Sequence, residues 1–218
     1  MSFAHSPKIV TDGLVLALDA GNTKSYPGTG TTWFDKSGRG SNGTLVNGPT
    51  FDTGSLGSIK FDGTNDYVTT NTSGMAEGTM LCFFNPSASV NLPYFEGLID
   101  NDVPGQYGQG MGINNGVFET ILDNEFWTPN VTVDIGSWQM CVLSWNATTA
   151  SFYKNGVLRN TLSYTRGSVT TATYYIGASH ANPRFLNGRI ATAQIYNRAL
   201  TQAEVSQNFN ALRGRFGI

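Results

Sequence analysis

F-D-T-G-S-L-G-S-I-K-F-D-G-T-N-D-Y-V, from Phe51 to Val68, sets two short strand-forming runs on either side of a tight turn. Ile59–Phe61 and Tyr67–Thr69 carry the β-branched and aromatic residues that suit a pleated surface. Between them, D-G-T-N-D supplies turn chemistry. Glycine reaches positive φ without strain, and Asp and Asn side chains bond to the backbone just ahead of them. A second stretch, F-L-N-G-R-I-A-T-A-Q-I-Y-N-R-A-L-T-Q-A-E-V at Phe185–Val205, runs from a strand into a helix start. Thr201 and Glu204 have capping-box spacing there, and Ala203, Val205, Phe209 and Leu212 give partial helical periodicity.

Working outward, strand-like runs recur between Gly, Asn, Asp and Pro. They cover Leu14–Asp19, Thr79–Phe84, Gly97–Asp100, Gly110–Ile113, Val117–Leu122, Trp138–Trp145, Ala150–Lys154, Val157–Leu162, Thr173–Gly177 and Arg189–Tyr196. Asn114-Asn115-Gly116 and Asn155-Gly156 are hairpin signals, because Asn and Gly tolerate positive φ. The pattern predicts an all-β, two-sheet antiparallel β-sandwich of jelly-roll type with one short C-terminal helix. It has no internal repeat and no linker. A single domain is expected over residues 12–218, preceded by an N-terminal arm over 1–11.

Composition agrees and narrows the function. Charged residues make up 13% of the 218, well under the roughly 25% of an average soluble protein. The net charge is −2, with no cluster of Lys and Arg. A nucleic-acid partner is therefore not expected, since neutralised phosphate supplies most of that affinity. No apolar run approaches the ~20 residues of a membrane span, so no membrane insertion is expected, and Met1–Lys8 lacks the apolar core of a signal peptide. The sequons at Asn42, Asn71, Asn130 and Asn146 then read as polar loops and strand ends. Cys82 and Cys141 both lie in apolar runs. Two buried thiols and a disulfide between neighbouring strands are both open.

Seven blocks in order resemble one family. They are D-G-L-V-L-A-L-D-A-G-N at Asp12–Asn22, W-F-D-K-S-G at Trp33–Gly38, N-G-T-L-V-N-G-P at Asn42–Pro49 and F-D-G-T-N-D-Y-V at Phe61–Val68. G-S-W-Q-M-C-V-L-S-W at Gly136–Trp145 with F-Y-K-N-G at Phe152–Gly156, Y-Y-I-G at Tyr174–Gly177, and the I-Y-N-R-A-L-T-Q-A-E-V close complete them. Together they resemble the laminin-G-like and concanavalin-A-like lectin/glucanase jelly rolls, in their phage and bacterial branch. The opening, through S-Y-P-G-T-G-T-T-W, is similar to virion-associated proteins of marine phages. Within that frame Phe61 and Tyr67 are expected in the core, and Arg198 is a candidate for tying the last strand to the helix.

The resemblance implies two kinds of site. Calcium is a cofactor of many members, and Asp19, Asn22, Asp62, Asn65 and Asp66 would supply hard oxygen ligands if their loops converge. The same residues serve equally as metal-free turn formers. Lectins of this architecture bind sugars on aromatic platforms beside amides and carboxylates. Tyr94, Asn101, Tyr107, Asp123, Phe126 and Trp127 are the candidates, with Phe95, Asp102, Gln109 and Asn124 nearby; Trp127, just ahead of Pro129, is the one read as exposed. Trp138 and Trp145 read as buried, and His5 and His180 as surface residues.

Glycoside hydrolysis is the rival. Glu119, Asp123 and Glu125 fall at even separations, hence on one face of an unbroken strand. Glu119 and Asp123 would then lie about 13 Å apart at ~3.3 Å per residue, outside the separations hydrolysis needs. Asp123-Asn124-Glu125 also reads as a turn that breaks the register. No enzyme is expected. The expected function is a non-catalytic carbohydrate-binding or adhesion module of a phage virion, meeting a surface glycan of the host cell and other virion proteins, with oligomerisation open. The alternative is a structural capsid- or tail-decorating protein that uses the sandwich for docking.

Overall fold

The computed structural model describes residues 7–89, 95–103, 108–123, 125–165, 167, 169–180 and 184–218. Among them, sixteen strands appear in chain order. The first eight are β1 (Leu14–Asp19), β2 (Thr32–Trp33), β3 (Gly43–Val46), β4 (Thr50–Asp52), β5 (Ser58–Asp62), β6 (Tyr67–Ser73), β7 (Gly78–Pro86) and β8 (Glu96–Asp100). The others are β9 (Gln109–Asn114), β10 (Val117–Leu122), β11 (Glu125–Trp127), β12 (Gln139–Trp145), β13 (Thr149–Lys154), β14 (Val157–Ser163), β15 (Thr173–Ile176) and β16 (Asn187–Tyr196). One α-helix, α1 (Gln202–Leu212), follows.

The strands form two antiparallel eight-stranded sheets. The first runs β14-β13-β12-β7-β16-β5-β4, with β1 also paired to β16; the second runs β11-β10-β9-β8-β15-β6-β3-β2. The two blocks that frame the sequence are hydrogen-bonded partners: Asn187 lies opposite Asp62, and Ile190 opposite Ile59. The Phe61 ring packs against Gly177, where an added Cβ would lie 2.4 Å from it. Gly177 has φ 80°, so the turn and the packing both require glycine there.

The core between the sheets follows from strand alternation. Leu45, Val68, Ile176, Ile99 and Met111 stand side by side across the second sheet, followed by Thr120 and Trp127. The apolar members of this row, down to Met111, are buried and pack with Phe61, Phe84, Trp145 and Phe152. A second apolar layer covers the outside of the first sheet. There Leu81, Phe83, Met140, Val142, Tyr153 and Tyr196 are buried with Val205 of α1. The Phe83 ring stacks on Phe216 at 4.8 Å and Phe209 at 6.2 Å.

Local chemistry fixes how α1 docks. Thr201 and Glu204 form the complete capping box. Arg198 grips Glu204 through two nitrogens, at 2.9 and 2.6 Å, and pairs with Asp12 at 2.9 Å, so it is the structural arginine the sequence suggested. That contact holds the Glu204 carboxyl down at about 2. Part of the segment read as an N-terminal arm belongs to this layer. Val10 bonds Asn208 Oδ1 at 2.7 Å through its N–H and accepts from the Tyr196 hydroxyl at 3.0 Å. Cys82 and Cys141 are opposite one another on β7 and β12, with sulfurs 3.4 Å apart, and both are free and buried. Trp145 is buried as read, whereas Trp138 is half-buried, its ring 4.8 Å from Phe216.

Candidate functional site

α1 covers the outside of the first sheet, while the outer face of the second sheet is accessible at its β3–β6–β15 end and at β11 and buried between them. Residues one step from the core row point to it, because successive side chains alternate. Thr44, Thr69, Tyr175, Asp100, Gly110, Ile121 and Phe126 follow one another across seven strands. Thr69 is half-buried and Thr44 exposed. Their hydroxyls are unpaired among the described residues, so this end of the row is a strip of available hydrogen-bonding groups.

Rings gather at the middle of the row. Tyr67 stacks on Tyr175 with centroids 5.0 Å apart, and Tyr175 lies 4.1 Å from the His180 imidazole. Phe185 sits 6.3 Å from Tyr67. All four are half-buried. The arrangement corrects the expectation that Tyr67 is core: Val68 takes the inward position, so Tyr67 must face out. His180 is likewise no isolated surface residue, since it closes one end of the ring stack.

Glycines in β8 and β9 make room for what lies on this face. A Cβ on Gly97 would fall 2.1 Å from the Ala178 carbonyl carbon, and one on Gly110 would fall 2.0 Å from Asp100 Oδ1. The backbone after β15 therefore crosses directly over β8. It is fastened by Ala178 bridging to Phe185, and by Gly97 N–H donating to the Arg184 carbonyl at 3.2 Å. Asp100 anchors the same segment by accepting the His180 N–H at 2.6 Å and the Asp102 N–H at 3.2 Å. Burial raises the Asp100 carboxyl to about 8 despite those donors. Burial also lowers the His180 imidazole, favouring its neutral form.

Of the residues expected to bind sugar, the described ones, Asn101, Asp123, Phe126 and Trp127, do not share one surface. Asn101 is fully buried, its side chain accepting from Gln109 N–H at 2.8 Å and donating to the Ala172 carbonyl at 3.2 Å. Its amide braces a strand end. Asp123 forms the β10–β11 turn with φ 53° and accepts from Gly167 N–H at 2.9 Å. Trp127, expected to be exposed, is half-buried against the core, because β11 continues the inward row. Phe126 takes the outward position at 48% exposure, edge-on to Phe95 at 6.1 Å. Tyr94, Tyr107 and Asn124 lie outside the described residues. The turn at Asp123 also separates Glu119 from Glu125, which begins the next strand.

The five oxygen donors expected to hold calcium do not fit one ion. Asp19 and Asp62 lie opposite Thr192 and Asn187 of β16, roughly 16 Å apart along the strand. Asp19 accepts from Arg215 at 2.6 Å and from Gly21 N–H at 2.9 Å, so a guanidinium already neutralises it. Asn22 caps Lys24 N–H at 3.0 Å. Asp62 Oδ1 accepts from Thr64 and Asn65 N–H, at 2.7 and 3.3 Å. Asp66 Oδ2 accepts from Asp62 N–H at 3.1 Å, while the Asn65 carbonyl takes the Asn47 amide at 2.8 Å. Among the described residues, no group of three or more His, Cys, Asp or Glu could hold a metal.

A second concave feature lies at the sandwich edge beyond β11. It is a cleft of about 430 Å³ between the Pro129–Asp134 segment and the β13–β14 hairpin. Lys154 is buried in its wall and donates to Thr132 O and Asp134 Oδ2, both at 2.8 Å.

Two antiparallel sheets packed face to face, with a single helix on one outer surface, define the jelly-roll class of β-sandwich. The chain belongs to the Concanavalin A-like lectin/glucanases superfamily, whose laminin-G-like profile matches residues 62–206. No curated protein matches the sequence. Solved structures do match. The binding domain of botulinum neurotoxin DC, in complex with SialylT, is 18% identical with a TM-score of 0.72, covering 93% of this chain and 52% of that one. Trypanosoma rangeli sialidase in complex with sialic acid is 16% identical, with a TM-score of 0.71 and coverage of 97% and 36%. Domain 4 of AbnA, an extracellular arabinanase from Geobacillus stearothermophilus, in complex with arabinotriose, is 14% identical, with a TM-score of 0.67 and coverage of 89% and 97%. The chain thus spans about half the toxin binding domain and a third of the sialidase. At these identities the likeness is one of fold. Among the described residues, no helix is long and apolar enough to cross a membrane.

Proposed function

We propose that the chain is a non-catalytic carbohydrate-binding module that takes a glycan on the outer face of its second sheet. The observation that carries this reading is the row of half-buried rings, Tyr67, Tyr175, His180 and Phe185, beside the hydroxyls of Thr69 and Thr44. Sugars present apolar C–H faces and polar rims, which rings and hydroxyls match respectively. Support also comes from proteins of the same fold that were solved with SialylT, sialic acid and arabinotriose. A catalytic carboxylate pair is not part of the reading: Asp100 bonds backbone, and Glu119 and Glu125 sit on different strands. We place the module on a phage virion, binding a host surface glycan. That setting is supported by the resemblance of the opening segment.

A glycan array followed by calorimetry tests the site. Tyr175→Ala is expected to weaken binding of the best glycan by roughly tenfold, the order of one lost aromatic contact. Undiminished affinity would remove the platform from the site. Failure of the native chain to bind any glycan would favour a docking role within a particle.

A further inference from the structure

We infer that the cleft at the sandwich edge is a second binding site, and that it takes a sugar acid through Arg159. The reading begins with a register irregularity. Phe152 lies opposite Asn160 and Tyr153 opposite Leu158, so Arg159 is the extra residue of a β-bulge in the edge strand β14. Bulges re-aim a side chain at the cost of one ladder pairing, and they concentrate at sheet edges and functional sites. Here the re-aimed guanidinium lines the cleft and has no hydrogen bond or ion pair among the described residues.

The rest of the lining completes a recognisable chemistry. Lys154 and Asp134 neutralise each other, which leaves Arg159 as the cleft's unpaired charge. Asn155 spends its Oδ1 on the Met140 N–H at 2.8 Å, so its amide Nδ2 remains free to donate. The Asn130 amide and the Thr132 hydroxyl are likewise unpaired among the described residues. Asn130 and Asn155 hold φ of 56° and 51°, turn conformations that set them at the rim. Pro129 and Val131 supply apolar surface. A planar fork for one carboxylate, several amide and hydroxyl groups, and an apolar wall suit a uronate-type sugar. A cleft of about 430 Å³ is within the range of small-ligand sites. A glutamate side chain shares the carboxylate but would leave the amide and hydroxyl groups unused.

This site is separate from the ring platform. None of the platform rings lines the cleft, whose Thr132 bridges to Val117 of β10, a strand three places from β15. The test uses the full chain, trigalacturonic acid, its methyl ester as neutral control, and poly-L-glutamate, followed by calorimetry and amide-resolved NMR. Saturable binding of trigalacturonate is expected, with shifts at Asn130, Thr132, Asn155 and Arg159. Methyl esterification and Arg159→Gln should each weaken it roughly tenfold or more. Arg159 is exposed and unpaired, so the variant keeps its fold, and Asn130→Ala gives a second, uncharged probe of the same cleft. Tyr175→Ala should leave this binding unchanged, which separates failure here from failure of the platform. Absence of saturable binding, indifference to Arg159→Gln, or equally tight binding of poly-L-glutamate in the cleft would overturn the assignment.

Discussion

Asp100 sits where the second sheet meets the segment that crosses it, and its carboxyl titrates accordingly. It is 1% exposed, and burial raises it to about 8. In the unfolded chain the same group ionises near pH ~4. The folded state therefore holds the proton more tightly, and folding is penalised progressively as pH climbs from about 4 to about 8. Asp100→Asn removes the titration while keeping one oxygen for the His180 N–H. Measured against that variant, the stability of the native chain should fall across this window and level off above it. A difference independent of pH, in denaturant melts from pH 4 to 9, would mean that the carboxyl ionises normally. At this scale sequence reading succeeded for Arg198, whose partner Glu204 lies only six residues on, in the next helix. It failed for Tyr67 and Trp127, because one register position decides inward or outward, and the bulged or short strands around them hide that register.

At the scale of elements, hairpins and the helix were readable because their determinants are local. Asn115-Gly116 and Asn155-Gly156 turn as expected with positive φ throughout, and the Thr201–Glu204 capping box starts α1. The short strands β2, β3, β4 and β11 are missing from the strand-like runs read in the sequence: with two to four residues each, they carry no measurable period. Their pairing comes from neighbours already in place. The crossing of Ala178–Ser179 over β8 was also illegible, although Gly97 marks it. Gly97→Ala would drive a methyl group into the Ala178 backbone, which cannot rotate away as a side chain can. The expected loss is about 1–3 kcal/mol, with faster hydrogen exchange of the Ser179 and Leu186 amides. Unchanged exchange there would show that the crossing segment is not held by this contact.

At the scale of the molecule, three layers account for which surface is free to bind. The helix and the chain's two ends bury the outside of the first sheet, with Phe83 stacked between Phe209 and Phe216. Phe83→Ala should cost about 3–5 kcal/mol and expose α1 to exchange before the sheets open. A loss under ~1 kcal/mol would mean that the helix is only loosely applied. The sequence alone determined the class: the alternation, the turn residues at Asp62–Asp66 and the family blocks all specify a two-sheet sandwich with one terminal helix. These signals are short-range or periodic, so they survive in one dimension. The tertiary structure decided the sites. The ring row draws on residues from 67 to 185, and the edge cleft joins Asn130 to Arg159 through a bulge. Such groups meet only after strand order and register are set by burial of the shared core.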